Sequence, residues 1–270
     1  YMQFSDNLDV HDITYIPVSA LEGENITEPS AKMPWYEGSS LLHHLETVQV
    51  SADRNLVDFR FPVQYVIRPN QDFRGYAGRV SSGTIRPGEE IAVLPSGKKS
   101  RVRSIVTYDG ELDEAAESQS VVLRLEDEID VSRGEMIVRP NNVPTVANRF
   151  EALLCWMHES KLSRPTAYYL KHTTQTVRAY VNRVFYKIDV NTLHRNQTDT
   201  LELNEIGRIE LRTARPLFFD SYADNQNTGS FILVDPVSNM TVGAGIIRSK
   251  GRTVEDVVTD KPQTARQRIS

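Results

Sequence analysis

From Phe59 onward, apolar residues recur at every second position. Phe59, Phe61, Val63, Tyr65 and Ile67 alternate with Asp58, Arg60, Pro62 and Gln64, which gives an extended strand one apolar face and one polar face. Glycines at 75, 78, 83, 88 and 97 then cut the chain into short runs, and Val102, Ile105, Val121 to Leu125 and Met136 to Val138 supply further strands. Short strands joined by glycine turns, with no helix between them to cover a sheet edge, predict a closed antiparallel barrel, because closure removes edges that would otherwise pair with other chains.

The run Arg139-Pro140-Asn141-Asn142-Val143-Pro144 cannot continue a ladder, since proline lacks the N–H and asparagine favours turns. A second all-β unit is expected after it, with strands over 149–158, 175–187, 200–206, 208–212, 230–234 and 241–248. Before the first barrel the texture differs. Asp12 to Val18 is rich in β-branched residues and reads as a short buried strand. Gly38-Ser39-Ser40 precedes Leu41, Leu42 and Leu45 on one helical face, with Ser39 or Ser40 as the cap. The chain thus divides into 1–50, the end of an α/β unit; 53–140, a first barrel; 146–248, a second barrel; and 249–270, a polar tail or linker.

Charge and composition exclude several classes. With 25% charged residues and a net charge of -5 the chain is not a general nucleic-acid binder. Its apolar runs, such as Phe231 to Val234, are far short of the roughly 20 residues that cross a bilayer. The single cysteine, Cys155, lies in Ala152-Leu153-Leu154-Cys155-Trp156-Met157 and reads as a small core residue. One cysteine permits no disulfide framework, which fits a reducing cytoplasm.

Several short patterns imitate nucleotide motifs and fail on inspection. Ser96-Gly97-Lys98-Lys99-Ser100 has Ala92 where a phosphate-binding loop needs its first glycine and Lys99 where it needs a hydroxyl, so it reads as a hairpin turn with two exposed lysines. Asp72-Phe73-Arg74-Gly75 and Asn196-Gln197-Thr198-Asp199 fall inside the barrels and read as plain loops. His43 and His44 diverge on their helix, with no third ligand at a metal-binding spacing. Arg178, Arg183, Arg208, Arg212 and Arg215 are interleaved with Asp189, Asp199, Glu202, Glu205 and Glu210. That mixture favours solvated strand faces, then a protein interface, and nucleic acid last. By contrast, Pro17-Val18-Ser19-Ala20-Leu21-Glu22-Gly23-Glu24-Asn25-Ile26 has the form of a loop after a strand in which a serine and a small alanine let backbone amides approach a purine edge.

Two sets of residues carry a resemblance. The segment from Arg74 to Ile91, with Gly78, Gly83 and Pro87-Gly88, and the segment Val131 to Val138 resemble the second domain of translational GTPases such as elongation factor Tu. Pro17 to Ile26, Met33 to Gly38, Phe61 to Pro69, Thr228 to Asp235 and Thr241 to Ile247 together look like the large, GTPase subunit of bacterial sulfate adenylyltransferase. The similarity runs to about Arg248.

This resemblance implies a mainly β chain: two consecutive barrels like domains II and III of elongation factor Tu, preceded by the last strand and helix of a GTPase domain. It also implies a heterodimer in which a small catalytic subunit forms adenylyl sulfate and diphosphate from ATP and sulfate, for sulfate assimilation and cysteine synthesis, driven by GTP hydrolysis. An adenylyl-sulfate kinase domain is fused to the carboxyl end in some members. GTP and Mg2+ are the implied cofactors of the whole subunit, but only Ser19, Ala20 and Leu21 match its nucleotide site, as the guanine-side loop. The chain opens on Tyr1, so the phosphate loop and magnesium residues are expected upstream, no catalytic residue is expected within it, and it should be inactive and bind no cofactor alone. The alternative reading is the barrel pair of a translational GTPase that binds tRNA or a release factor.

Overall fold

The computed structural model describes residues 13–48, 55–70, 73–164 and 166–248; the expected tail over 249–270 lies outside them. The chain forms two units, Tyr1–Asp53 and Arg54–Ser270. In the first, α1 spans Leu41–Thr47, and Ser40 is its cap, accepting the His43 amide at 3.4 Å. The buried strand expected over Asp12 to Val18 is not formed in the described part of that segment. Residues 13–18 pair with nothing as a ladder, and Ile13, Tyr15 and Val18 are exposed. A strand needs a neighbour to satisfy its N–H and C=O groups, and the described part of this unit supplies none.

Among its described residues the second unit holds sixteen strands: β1 (Arg60–Ile67), β2 (Gly75–Arg79), β3 (Thr84–Ile85), β4 (Glu90–Leu94), β5 (Lys98–Thr107), β6 (Gly110–Leu112), β7 (Ala115–Ala116), β8 (Ser120–Leu125), β9 (Met136–Val138), β10 (Thr145–Trp156), β11 (Tyr168–His172), β12 (Gln175–Ile188), β13 (Arg195–Asn196), β14 (Ile206–Phe219), β15 (Ser230–Val234) and β16 (Thr241–Ile247). Each of two sheets closes on itself. The first runs β4-β9-β1-β2-β8-β5 and returns to β4; the second runs β11-β15-β16-β10-β14-β12 and returns to β11. All these pairings are antiparallel. The chain is thus mainly β, with the barrel architecture expected from the period of two.

Phe59 and Phe61 stack 6.4 Å apart in the first core, beside Val63, Ile91 and Leu123. Phe150 is the hub of the second, with Phe219 at 5.2 Å and Phe231 at 5.9 Å. The alternation along β1 holds only as far as Val63. Its register slips between Val63 and Tyr65, so Tyr65 turns outward and Val66 packs on the core instead. A bulge inserts one residue and reverses every side chain after it.

The second barrel departs from expectation at two places. The strands expected over 200–206 and 208–212 are not separate: β14 is continuous from Ile206 to Phe219, and residues 200–205 are a turn region. Gly207 is no break. A Cβ there would lie 2.6 Å from Leu201, so the glycine lets the turn fold down onto the strand. The short β11 was not foreseen, because Tyr168 to His172 mixes apolar and polar residues without a flanking glycine. Cys155 is also not in the core. It lies on the outward face of β10 and is partly exposed, while Leu154 and Trp156 on either side are buried.

Candidate functional site

In the first unit, Ser19 to Asn25 form a closed turn. The Ser19 amide donates to the Glu24 carbonyl at 3.1 Å, and the Glu22 amide donates to the Ser19 hydroxyl at 3.4 Å. Between them Gly23 takes a φ of +74°, and Leu21 projects outward at 96% exposure. Asn25 anchors the turn. It is buried, its Nδ2 donates to the Pro17 carbonyl at 2.9 Å, and its Oδ1 accepts the Ser30 amide at 2.6 Å. Its own carbonyl accepts the Leu41 amide at 2.9 Å, and the Ile26 carbonyl accepts that of Leu42 at 2.8 Å. Two of the first amides of α1 are thereby satisfied by the loop, so loop and helix are one piece.

Ser19 and Ala20 present small side chains beside this turn, a chemistry compatible with close approach of a flat base. Glu24 is held below the usual carboxylate range by its hydrogen bonds from Ser30 and Lys32. Among the described residues no three His, Cys, Asp or Glu side chains converge as a metal ion requires. His43 is exposed and His44 partly so.

The imitation motifs fall where plain turns would. Residues 95–97 join β4 to β5, Gly97 has a φ of +69°, and Lys98 and Lys99 are exposed. Asn196 ends the short β13, which pairs with β12. Asp72 lies outside the described residues. No helix among the described residues is long and apolar enough to cross a membrane.

The most elaborate polar constellation was missed by sequence reasoning. Arg60, read as a residue of the polar face of β1, is 2% exposed. Its Nε and Nη2 donate to the two carboxylate oxygens of Asp220, both at 2.9 Å, and its Nη1 donates to the Asn142 carbonyl and Oδ1 and to the Phe59 carbonyl. Asp220 also accepts the Thr228 hydroxyl at 2.8 Å. Around this pair, Asn225 donates to Ser82 at 2.7 Å, Asn227 to the Ser81 carbonyl at 2.8 Å, Asn55 to the Asp224 carbonyl at 3.1 Å, and Gln175 to the Gly134 carbonyl at 2.6 Å. The Arg60–Asp220 pair and each of these last four bonds join a residue of the first barrel or its leader to one of the second. A buried ion pair persists only when its remaining donors and acceptors are also satisfied, and here the three guanidinium nitrogens all are.

An apolar contact lies alongside. Phe218 of β14 is buried with Ala92, Leu94, Met136 and Val138, which come from β4 and β9 of the first barrel. Burial of Asp58 pushes its carboxyl up, but hydrogen bonds from Asn55 and Asn142 and the charge of Arg60 bring it below the ordinary value. His172 is fully buried at the same junction. Its Nε2 lies 2.7 Å from the Thr228 carbonyl, which can only accept, so Nε2 carries the proton and Nδ1 has no partner among the described residues. Burial lowers its pKa, against the opposing influence of the Thr228 carbonyl and Asp220. One signal could have found this junction: Ile91 to Leu94 and Met136 to Val138 are apolar at consecutive positions, as strands buried on both faces must be.

Comparison with known proteins agrees with this architecture. Residues 76–138 match the elongation factor Tu domain 2 family, and residues 149–248 match the GTP-eEF1A C-terminal domain-like family. Sulfate adenylyltransferase subunit 1 of Bacteroides fragilis is 53% identical over 247 residues, which cover 92% of this chain and 52% of that protein. The bifunctional enzyme CysN/CysC of Rhodopirellula baltica is 53% identical over 253 residues, 94% of this chain and 39% of that protein. The chain spans about half the length or less of these relatives. A solved structure of sup35 complexed with GDP superposes with a TM-score of 0.67 at 21% identity, over 91% of this chain and 60% of that one. That likeness is one of fold.

Proposed function

The chain is homologous to sulfate adenylyltransferase subunit 1 over about half the length of those proteins, and on that premise we propose that it is the barrel-bearing part of the GTP-hydrolysing subunit of a sulfate-activating enzyme. The observation that carries this reading is identity near one half along nearly the whole chain. The reaction is adenylyl transfer: a sulfate oxygen attacks the α-phosphorus of ATP, the bond to the β-phosphate oxygen breaks, and diphosphate leaves. A separate small subunit carries that chemistry. In the bifunctional form a kinase for the product is part of the same polypeptide.

The role of this chain is mechanical. GTP with Mg2+, bound by the whole subunit, supplies the free energy, and Ser19, Ala20 and Leu21 would line the guanine edge. Because Asn25 and Ile26 accept the first amides of α1, a shift of that loop carries the helix with it. Because Arg60, Asp220 and Phe218 join the barrels through a buried seam, the pair moves as one body and passes a displacement on without slack. Two positions of one rigid body are what a nucleotide-controlled switch requires.

The test combines the full-length subunit, the small subunit, ATP and sulfate, and follows diphosphate release. GTP should accelerate it with the full-length subunit and have no effect when this chain replaces that subunit. Adenylyl sulfate formed by the purified chain alone would overturn the division of labour. Salt-sensitive, nanomolar binding of tRNA would instead support the translational reading, which shares the fold.

A further inference from the structure

Outward positions on a closed barrel ordinarily carry polar side chains. On one side of the second barrel they do not. Leu153 and Cys155 of β10, Ile206 of β14, Ile232 of β15, and Ala244 and Ile246 of β16 alternate with buried residues and are only partly covered. Registry sets them side by side. Ile206 is opposite Cys155, Cys155 opposite Ala244, and Ala244 opposite Ile232; in the neighbouring row Leu153 is opposite Ile246. A groove of about 760 Å³ runs over them.

This apolar face continues into a cationic one. Lys171 is opposite Ile232 at one edge, and Arg208 is opposite Leu153 at the other. The Arg208 and Arg183 guanidinium carbons lie 5.7 and 5.0 Å from the centre of the Phe185 ring, and that of Arg212 lies 5.6 Å from the centre of Tyr180. Glu151 is occupied by Arg208, and Glu210 by Asn182 with Arg149 nearby. Arg183, Arg212 and Lys171 have no carboxylate within ion-pair distance among the described residues. On a chain of net charge -5 this local excess of cations is selective for an acidic counterpart. An apolar centre flanked by arginine and aromatic residues is also the composition of protein interfaces.

We infer that this face of the second barrel is where the other subunit of the enzyme docks, through a surface with apolar residues at its centre and carboxylates at its edge. The inference rests on the function proposed above, which supplies that subunit.

Cys155 reports on the face without any mutation. Its alkylation, read at that residue by mass spectrometry in the full-length subunit, should slow by about tenfold or more on saturation with the small subunit, since the core of an interface excludes water and reagents. Ile246→Asp should raise the dissociation constant about 30-fold, the effect of a central residue, with the thermal melt and GTP affinity of the subunit retained. Arg183→Glu should slow association and weaken its dependence on salt. Unchanged alkylation in a heterodimer shown by sedimentation to be saturated overturns the inference while leaving the proposed function standing. Shielding already present in the isolated full-length subunit, or shielding that follows its own concentration, assigns the face to the rest of the same polypeptide or to a second copy and overturns it equally. Failure of the two subunits to associate at all removes the proposed function, and the inference with it.

Discussion

Arg60 and Asp220 face each other across the junction of the two barrels, Nε to Oδ2 and Nη2 to Oδ1, both at 2.9 Å. They are 160 residues apart in sequence. Removing one partner of a buried pair strands the other charge, so Arg60→Ala or Asp220→Ala should cost about 3–5 kcal/mol. Urea denaturation of the chain measures this. The double change Arg60→Met with Asp220→Leu should cost clearly less than the two single losses added together, because it strands neither charge. Additive losses would mean that the two residues do not act as a pair.

The apolar part of the junction is testable separately. Phe218→Ala should destabilise by about 3–5 kcal/mol, as for other buried aromatics, whereas Tyr65→Ala, at the exposed position after the bulge, should lie within about 0.5 kcal/mol of wild type. Equal effects at the two sites would contradict the burial pattern. If seam contacts are what hold the barrels together, Phe218→Ala should also broaden the urea transition or split it in two.

His172 links stability to pH. Its pKa in the folded protein is below the ordinary 6.5 because burial disfavours the imidazolium, so the unfolded chain binds the extra proton more readily. Its contribution is therefore fully present above pH 6.5 and is lost as pH falls through that value, with a slope approaching about 1.4 kcal/mol per pH unit for one proton. Asp58, whose pKa is depressed from 3.8, acts only at lower pH. The loss as pH falls below 6.5, followed by chemical denaturation, should disappear in His172→Gln, whose amide can still donate to the Thr228 carbonyl. A slope that survives the substitution would place the titrating group elsewhere.

Two glycines with similar backbones should respond differently to alanine. Gly97 has a φ of +69° and open space where a Cβ would stand, so Gly97→Ala should cost about 1–2 kcal/mol for the left-handed conformation alone. Gly83 has a φ of +74°, but a Cβ there would lie 2.6 Å from the backbone N and Cα of Phe59. Gly83→Ala should cost about 2 kcal/mol more than Gly97→Ala, since backbone must shift to relieve the overlap. Equal melting temperatures for the two variants would refute this.

Much of the barrel architecture was legible because it depends on nearest-neighbour features. The period of two from Phe59 to Val63, and the glycine turns at Gly83, Gly88 and Gly97, all with positive φ, are local properties of chain and side chain. That Ser19 to Leu21 lie in a loop was legible in the residues, whereas a nucleotide role for them was implied only by the resemblance; the loop's geometry depends on Asn25, whose burial no local pattern announces. The slip at Gln64 was invisible because a bulge leaves no mark on composition. Cys155 was misplaced because alternation tells which residues share a face and is silent on which face turns inward when both are apolar.

The residues alone determined that this chain builds two consecutive antiparallel barrels, since strand period and turn chemistry are carried along the backbone. The tertiary structure alone decided that Arg60 is a buried partner of Asp220 and no solvated neighbour, and that Leu153, Cys155 and Ile246 form a partly exposed apolar face. Both facts depend on what packs against a strand from outside its own sheet, a relation between distant segments that no window of sequence contains.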